Sequence, residues 1–138
     1  MSANPEGQPS QQPRSGPVFE AVSGLGGAAG VCRAQEAIAR LGGFPDLYAD
    51  ILGRFLNDKS GILSRLREAV ERVDAANIHA AAHNLKGLAM MCGALSVAET
   101  AAALEQAGRA GADGDFSRML GRLDAEMAAA RIILAPYR

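Results

Sequence analysis

Aromatic residues are scarce in this 138-residue chain: four Phe, two Tyr and no Trp. Alanine and leucine dominate the second half instead, which favours helices over sheets. Cysteine is rarer still. The two present, Cys32 and Cys92, lack metal-ligand spacing and read as reduced thiols. Charge of one sign is missing too. The net value of -1 gives no basic field for nucleic acid, and there is no acidic block. No apolar run approaches the roughly 18 residues needed to span a bilayer. The N-terminus lacks a basic start followed by a hydrophobic stretch, so no signal peptide is expected. Together these absences point to a cytoplasmic chain with neither nucleic acid nor membrane as partner. The length suits one domain with a single core.

Residues 1–30 are rich in Pro, Gln, Ser and Gly and are expected to form a disordered tail ahead of one domain over 31–138. Within it, Val18–Val22 is a short apolar stretch, expected to dock weakly or not at all. Residues 23–30 (SGLGGAAG) have linker composition.

From there the pattern is helical. A short first helix is expected over about 32–41, ending at Gly42-Gly43. Pro45 suits the first turn of a second, with Tyr48, Leu52, Phe55, Leu56, Leu63, Leu66 and Val70 on one face. Asn57 and Gly61 are expected to bend or interrupt it. Asp74 reads as the N-cap of a third helix, about 75–92, which Gly93 ends. Ser96 and Glu99 form an S-x-x-E pattern, expected to be a capping box opening the fourth helix, which fades at Gly108–Gly111. Asp113 or Asp115 caps a fifth, with Phe116, Leu120, Leu123, Met127 and Leu134 on one stripe. The predicted fold is all-α: an antiparallel up-down four-helix bundle with a short additional N-terminal helix. A monomer is expected.

The third helix carries the chemistry. At roughly 100° per residue, with His83 at zero, Ile78, Ala81, Leu85, Leu88 and Cys92 fall within about 40° of the opposite pole. That apolar stripe faces the core and puts His83 toward solvent. Ala76, His79, Ala80, Lys86, Gly87 and Met90 lie on the histidine's side. Gly87 costs a helix interior about 1 kcal/mol relative to Ala, and its missing side chain leaves room for a bulky group. Lys86 brings an ammonium to the same space. An exposed imidazole with a clear approach and a nearby cation suits a nucleophile for phosphorus.

The stretch A-H-N-L-K-G (Ala82–Gly87), then G-A-L from Gly93 and the pair Leu104-Glu105, resembles the histidine-containing phosphotransfer (HPt) domains of two-component phosphorelays. Ala37–Tyr48 and Arg54–Asp58 are similar to the first two helices of that family, and the resemblance covers about residues 31–134. It implies that His83 is phosphorylated, through Nε2. His83 then takes the group from a receiver-domain aspartate and passes it to another. Lys86 contacts the phosphoryl oxygens, and Gly87 clears the approach. Partners implied are response-regulator receiver domains and a hybrid sensor histidine kinase, docking over Ala76, His79, Ala80 and Met90. The Leu47/Ile51 edge either extends that patch or belongs to the bundle. No cofactor of its own is expected, and Mg2+ should come with the receiver. The chain is then a carrier without ATP-dependent kinase activity.

Two other readings compete. His79 and His83, at i and i+4, could share a metal ion, but residue 80 is Ala where the zincin pattern needs Glu, and no third ligand stands out. A helical adaptor could bind a receiver without carrying phosphate. Arg109, Arg118 and Arg122 read as solvated helix faces. The sequence leaves open a free-standing shuttle or the terminal domain of a hybrid kinase, with the initiating Met leaning toward the former.

Overall fold

Gly42 and Gly43 both take positive φ, 90° and 80°, and their N–H groups close back on Ala39 and Ile38. That turn ends α1 (Ala34–Arg40). Pro45, whose missing N–H costs nothing at a first turn, then opens α2 (Pro45–Leu56). A computed structural model describes residues 32–111 and 115–138 of the chain. The expected tail, with Val18–Val22, and the candidate cap Asp113 lie outside the described residues.

The stripe from Tyr48 to Val70 divides into two helices, α2 and α3 (Ile62–Glu71). The break is built around Asp58. Its φ of 51° ends α2, and its carboxylate then accepts from the backbone of Leu63 at 2.9 Å and of Ser64 at 3.1 Å. One residue therefore stops one helix and caps the next. α3 closes through Val73, at φ 52°, into Asp74. Asp74 caps α4 (Ala75–Cys92) by accepting from Asn77 N–H at 3.2 Å, as its sequence position predicts.

Gly93 ends α4 at φ 77°, and it does a second thing. A Cβ there would lie 2.5 Å from the carbonyl oxygen of Arg33. The chain at Cys32–Arg33 crosses this point: Arg33 N–H donates to Gly93 at 2.7 Å, and Cys32 bridges Ala94. This crossing overturns the expected capping box. α5 (Leu95–Arg109) starts with Ala94 at its N-cap and no side-chain cap, and Ser96 is buried in its first turn. α6 (Phe116–Ile133) is capped by Asp115, which accepts from Arg118 N–H at 3.2 Å, and a 3-10 turn, Ala135–Tyr137, follows.

Among the described residues the fold is all-helical, with six α-helices and no strand. Leu52, Leu66, Ile78, Leu104, Leu123 and Met127 meet in one core. Tyr48 threads it, donating its hydroxyl to the Cys92 carbonyl at 2.6 Å, and burial pushes its phenol well above the usual range. Both cysteines are buried free thiols. No helix among the described residues is long and apolar enough to cross a membrane.

Candidate functional site

α4 and α5 pack along their lengths, and one glycine sets how closely. Gly108 is buried in the last turn of α5, where a Cβ would lie 2.8 Å from both the Ala75 carbonyl oxygen and the His79 nitrogen. The start of α4 thus touches the end of α5, and the two run antiparallel. The sequence reads Gly108–Gly111 as the place where the helix fades, and α5 does end at Arg109; Gly108 is also the place where two backbones meet.

This approach brings Glu105 beneath the polar face of α4. The glutamate sits on the same stripe of α5 as the buried Ala101, Leu104 and Gly108, and its side chain is only 5% exposed. Every polar atom of that edge is engaged. Its Oε2 lies 2.9 Å from His83 Nδ1, and its Oε1 accepts from Lys86 Nζ at 2.7 Å. The backbone carbonyl of Glu105 lies 3.0 Å from His79 Nδ1. Arg109, one turn on, places a guanidinium nitrogen 3.9 Å from Oε2. The hydrogen bonds from Lys86 first, and from His83 second, hold the Glu105 carboxyl down to about 2 against the pull of burial.

The protonation of His83 follows. A carboxylate ionised at neutral pH can only accept, so the ring nitrogen bonded to it carries the hydrogen. In the neutral imidazole the lone pair is then on Nε2. The side chain is 62% exposed, so this lone pair is reachable from solvent. A fixed tautomer, an accessible nitrogen and a carboxylate able to offset positive charge on the ring make a nucleophile suited to an electrophilic phosphorus or carbon.

The other residues singled out from the sequence fall into two groups. Gly87, Ala76, Ala80 and Met90 share the exposed face with His83. A Cβ on Gly87 would meet no atom within 4 Å, so nothing in the fold's own packing calls for glycine there. His79 is half-buried and turned toward α5, a support for Glu105 more than a surface contact. Lys86 is one-third exposed and salt-bridged to Glu105, where phosphoryl contact was expected. Leu47 is exposed, and Ile51 packs against the core. Arg109 does not stand alone on a solvated face, since it borders Glu105; Arg122 donates to the buried Glu126 at 3.2 Å.

Reading the sequence for site residues missed Glu105, Arg109 and Gly108. A signal for Glu105 was there: a carboxylate on an apolar stripe is almost never fully buried without partners. The partners themselves lie 19 to 26 residues away. Both histidines direct Nδ1 to oxygens of this one residue, and among the described residues no group of three or more His, Cys, Asp or Glu is placed to hold a metal.

A family model described as the Hpt domain matches residues 50–132, well over half of the chain. No curated protein and no solved structure matches it significantly.

Proposed function

The chain belongs to the Hpt domain family, with its phosphotransfer role in phosphorelays, and from that premise we propose that His83 is the residue that carries the phosphoryl group. The observation that carries this reading is the 2.9 Å contact between His83 Nδ1 and Glu105, which leaves Nε2 as the exposed nucleophile.

Nε2 attacks the phosphorus of a receiver's aspartyl phosphate. A P–N bond forms as the P–O bond to the aspartate breaks, and the electron pair leaves with the aspartate carboxylate. The ring gains positive charge, which Glu105 offsets through the Nδ1–H bond. In the second half, an aspartate of another receiver forms the new P–O bond. The P–N bond breaks and the neutral imidazole returns. Such transfers rest on positioning and on neutralising oxygen charge.

Lys86 holds Glu105 with one of three N–H donors and can turn the others to phosphoryl oxygens; Arg109 adds a second cation at the rim. Mg2+, in this reading, arrives with the receiver. The chain itself is a carrier with no ATP-driven step of its own. Hpt domains work with receiver domains and histidine kinases. Here the docking face is assigned to Ala76, Ala80, Gly87 and Met90 around His83, with His79 at its inner edge.

The test is incubation with a receiver charged with labelled phosphate. Acid-labile, alkali-stable label should appear on the wild type and vanish in His83→Gln, while receiver binding stays within about threefold. Glu105→Gln, which keeps the shape and removes the charge, should slow uptake by about tenfold. Persistent labelling of His83→Gln sinks the assignment.

A further inference from the structure

One surface shares Gly87 and Met90 with the docking face and extends beyond them. Past Gly87, away from His83, runs a groove of about 440 Å³ lined by Arg40, Gly87, Met90, Met91 and Leu95. Met90 and Met91 are about half exposed within it. Thioether side chains adapt their shape to whatever covers them. The polar element of the wall is Arg40, whose guanidinium donates to the Met90 carbonyl at 2.7 Å and keeps further N–H donors in its fork.

The path of the chain supplies an occupant. Cys32 bridges Ala94, and Arg33 N–H bonds Gly93. Cys32, the first described residue, is thus anchored at Ala94, the sequence neighbour of the groove residue Leu95. Ten residues before that anchor stands Val22, the end of Val18-Phe19-Glu20-Ala21-Val22. Phe19 is the only aromatic among residues 1–31, and Glu20 has the charge opposite to Arg40. Ten residues reach at most about 33 Å. A stretch as Gly-rich as residues 23–31 spans about 17 Å on average. That range covers the groove, and a short tether holds a segment near its site at millimolar effective concentration.

We infer that Val18–Val22 seats in the groove, with Val18, Phe19 and Val22 on Met90 and Met91 and Glu20 on Arg40. The chain's own N-terminal segment then competes with the partner for the face beside His83. The competition rests on the phosphoryl-carrier reading; the contact itself does not.

Methyl NMR on the full chain with labelled methionines tests both. In a variant with Val18, Phe19 and Val22 all changed to Ser, the Met90 and Met91 methyl signals should move, while those of Met119 and Met127 on α6 stay. Tenfold dilution of the wild type should change none of them. Glu20→Arg should move the Met90 signal the same way, and adding Arg40→Glu should bring it back. Methionine signals identical in wild type and triple variant overturn the contact. Signals that shift on dilution overturn it as well, because the occupant is then a second copy. With a charged receiver, the triple variant should take up label roughly two- to fivefold faster than wild type, as expected when a millimolar competitor is removed. Equal rates overturn the competition. Absence of label on every variant overturns the carrier reading and leaves the methionine result standing.

Discussion

At the scale of single residues, the polar face of α4 is held by one buried carboxylate with four polar groups around it. Glu105 accepts from His83 and Lys86, anchors His79 through its backbone and borders Arg109. A buried charge with this many partners is stable only while all are present, so the groups orient one another. Gly87 is different, because nothing packs on it. Gly87→Ala should therefore raise stability by about 0.5–1 kcal/mol, the usual gain for a helix interior. Gly87→Gln should fold equally well but slow phosphoryl uptake, since its side chain fills the approach to Nε2. Thermal melts and the labelling assay check the two halves. The outward position of His83 was legible in the sequence because helical phase is a local property. The carboxylate under it was not, because Glu105 meets His83 only when α4 and α5 pack.

At the scale of elements, the ends of the helices differ in how much of them local sequence controls. Asp74 and Gly93 bound α4 where their types predict, since an N-cap and a left-handed glycine act within three residues. Asp58 works across five and six residues, a reach no capping pattern anticipates. Ser96 and Glu99 match the capping-box pattern without forming it, because the crossing of Cys32–Arg33 over Gly93–Ala94 sets where α5 begins. Val73 is strained: a β-branched residue at φ 52°, 68% exposed. Val73→Gly should stabilise the α3–α4 turn by about 0.5–1 kcal/mol, the relief of the left-handed penalty less the entropy of glycine. A raised urea midpoint with an unchanged slope is the expected result. Gly108→Ala should act in the opposite direction. Its Cβ cannot fit between Ala75 and His79, so α5 must move outward at a cost of about 1–3 kcal/mol. Phosphoryl uptake should fall with it, because Glu105 moves too. Normal uptake in a folded Gly108→Ala protein would separate the helix crossing from the site.

For the whole molecule, two buried carboxylates set opposed pH dependences. Glu105 is lowered from an ordinary 4.5 to about 2. Its contribution to stability is full above 4.5 and is lost as pH falls toward 2. Glu126, 1% exposed in the core, is raised, chiefly by burial and against hydrogen bonds from Thr100 and Arg122. Its contribution is full below 4.5 and is lost as pH rises through its folded value, because there the native state holds the proton more tightly than the unfolded chain. These two groups together place a stability maximum near pH 4.5. Glu126→Gln should remove the decline on the upper side and leave the acid limb unchanged, as urea midpoints across pH 2–8 will show. An identical upper limb in both proteins counts against the raised value.

The exposed histidine, the cation and glycine beside it, and the helical class were written in local pattern. Periodicity and capping act within one or two turns, and neighbours in sequence are enough to read them. The state of that histidine belongs to the packed molecule. His83 holds its hydrogen on Nδ1 because a glutamate 22 residues away is buried beneath it, and the glutamate is there because Gly108 lets two backbones touch. Side-chain charge compensation across two helices depends on their separation to within an ångström, and no pattern along one chain encodes that distance.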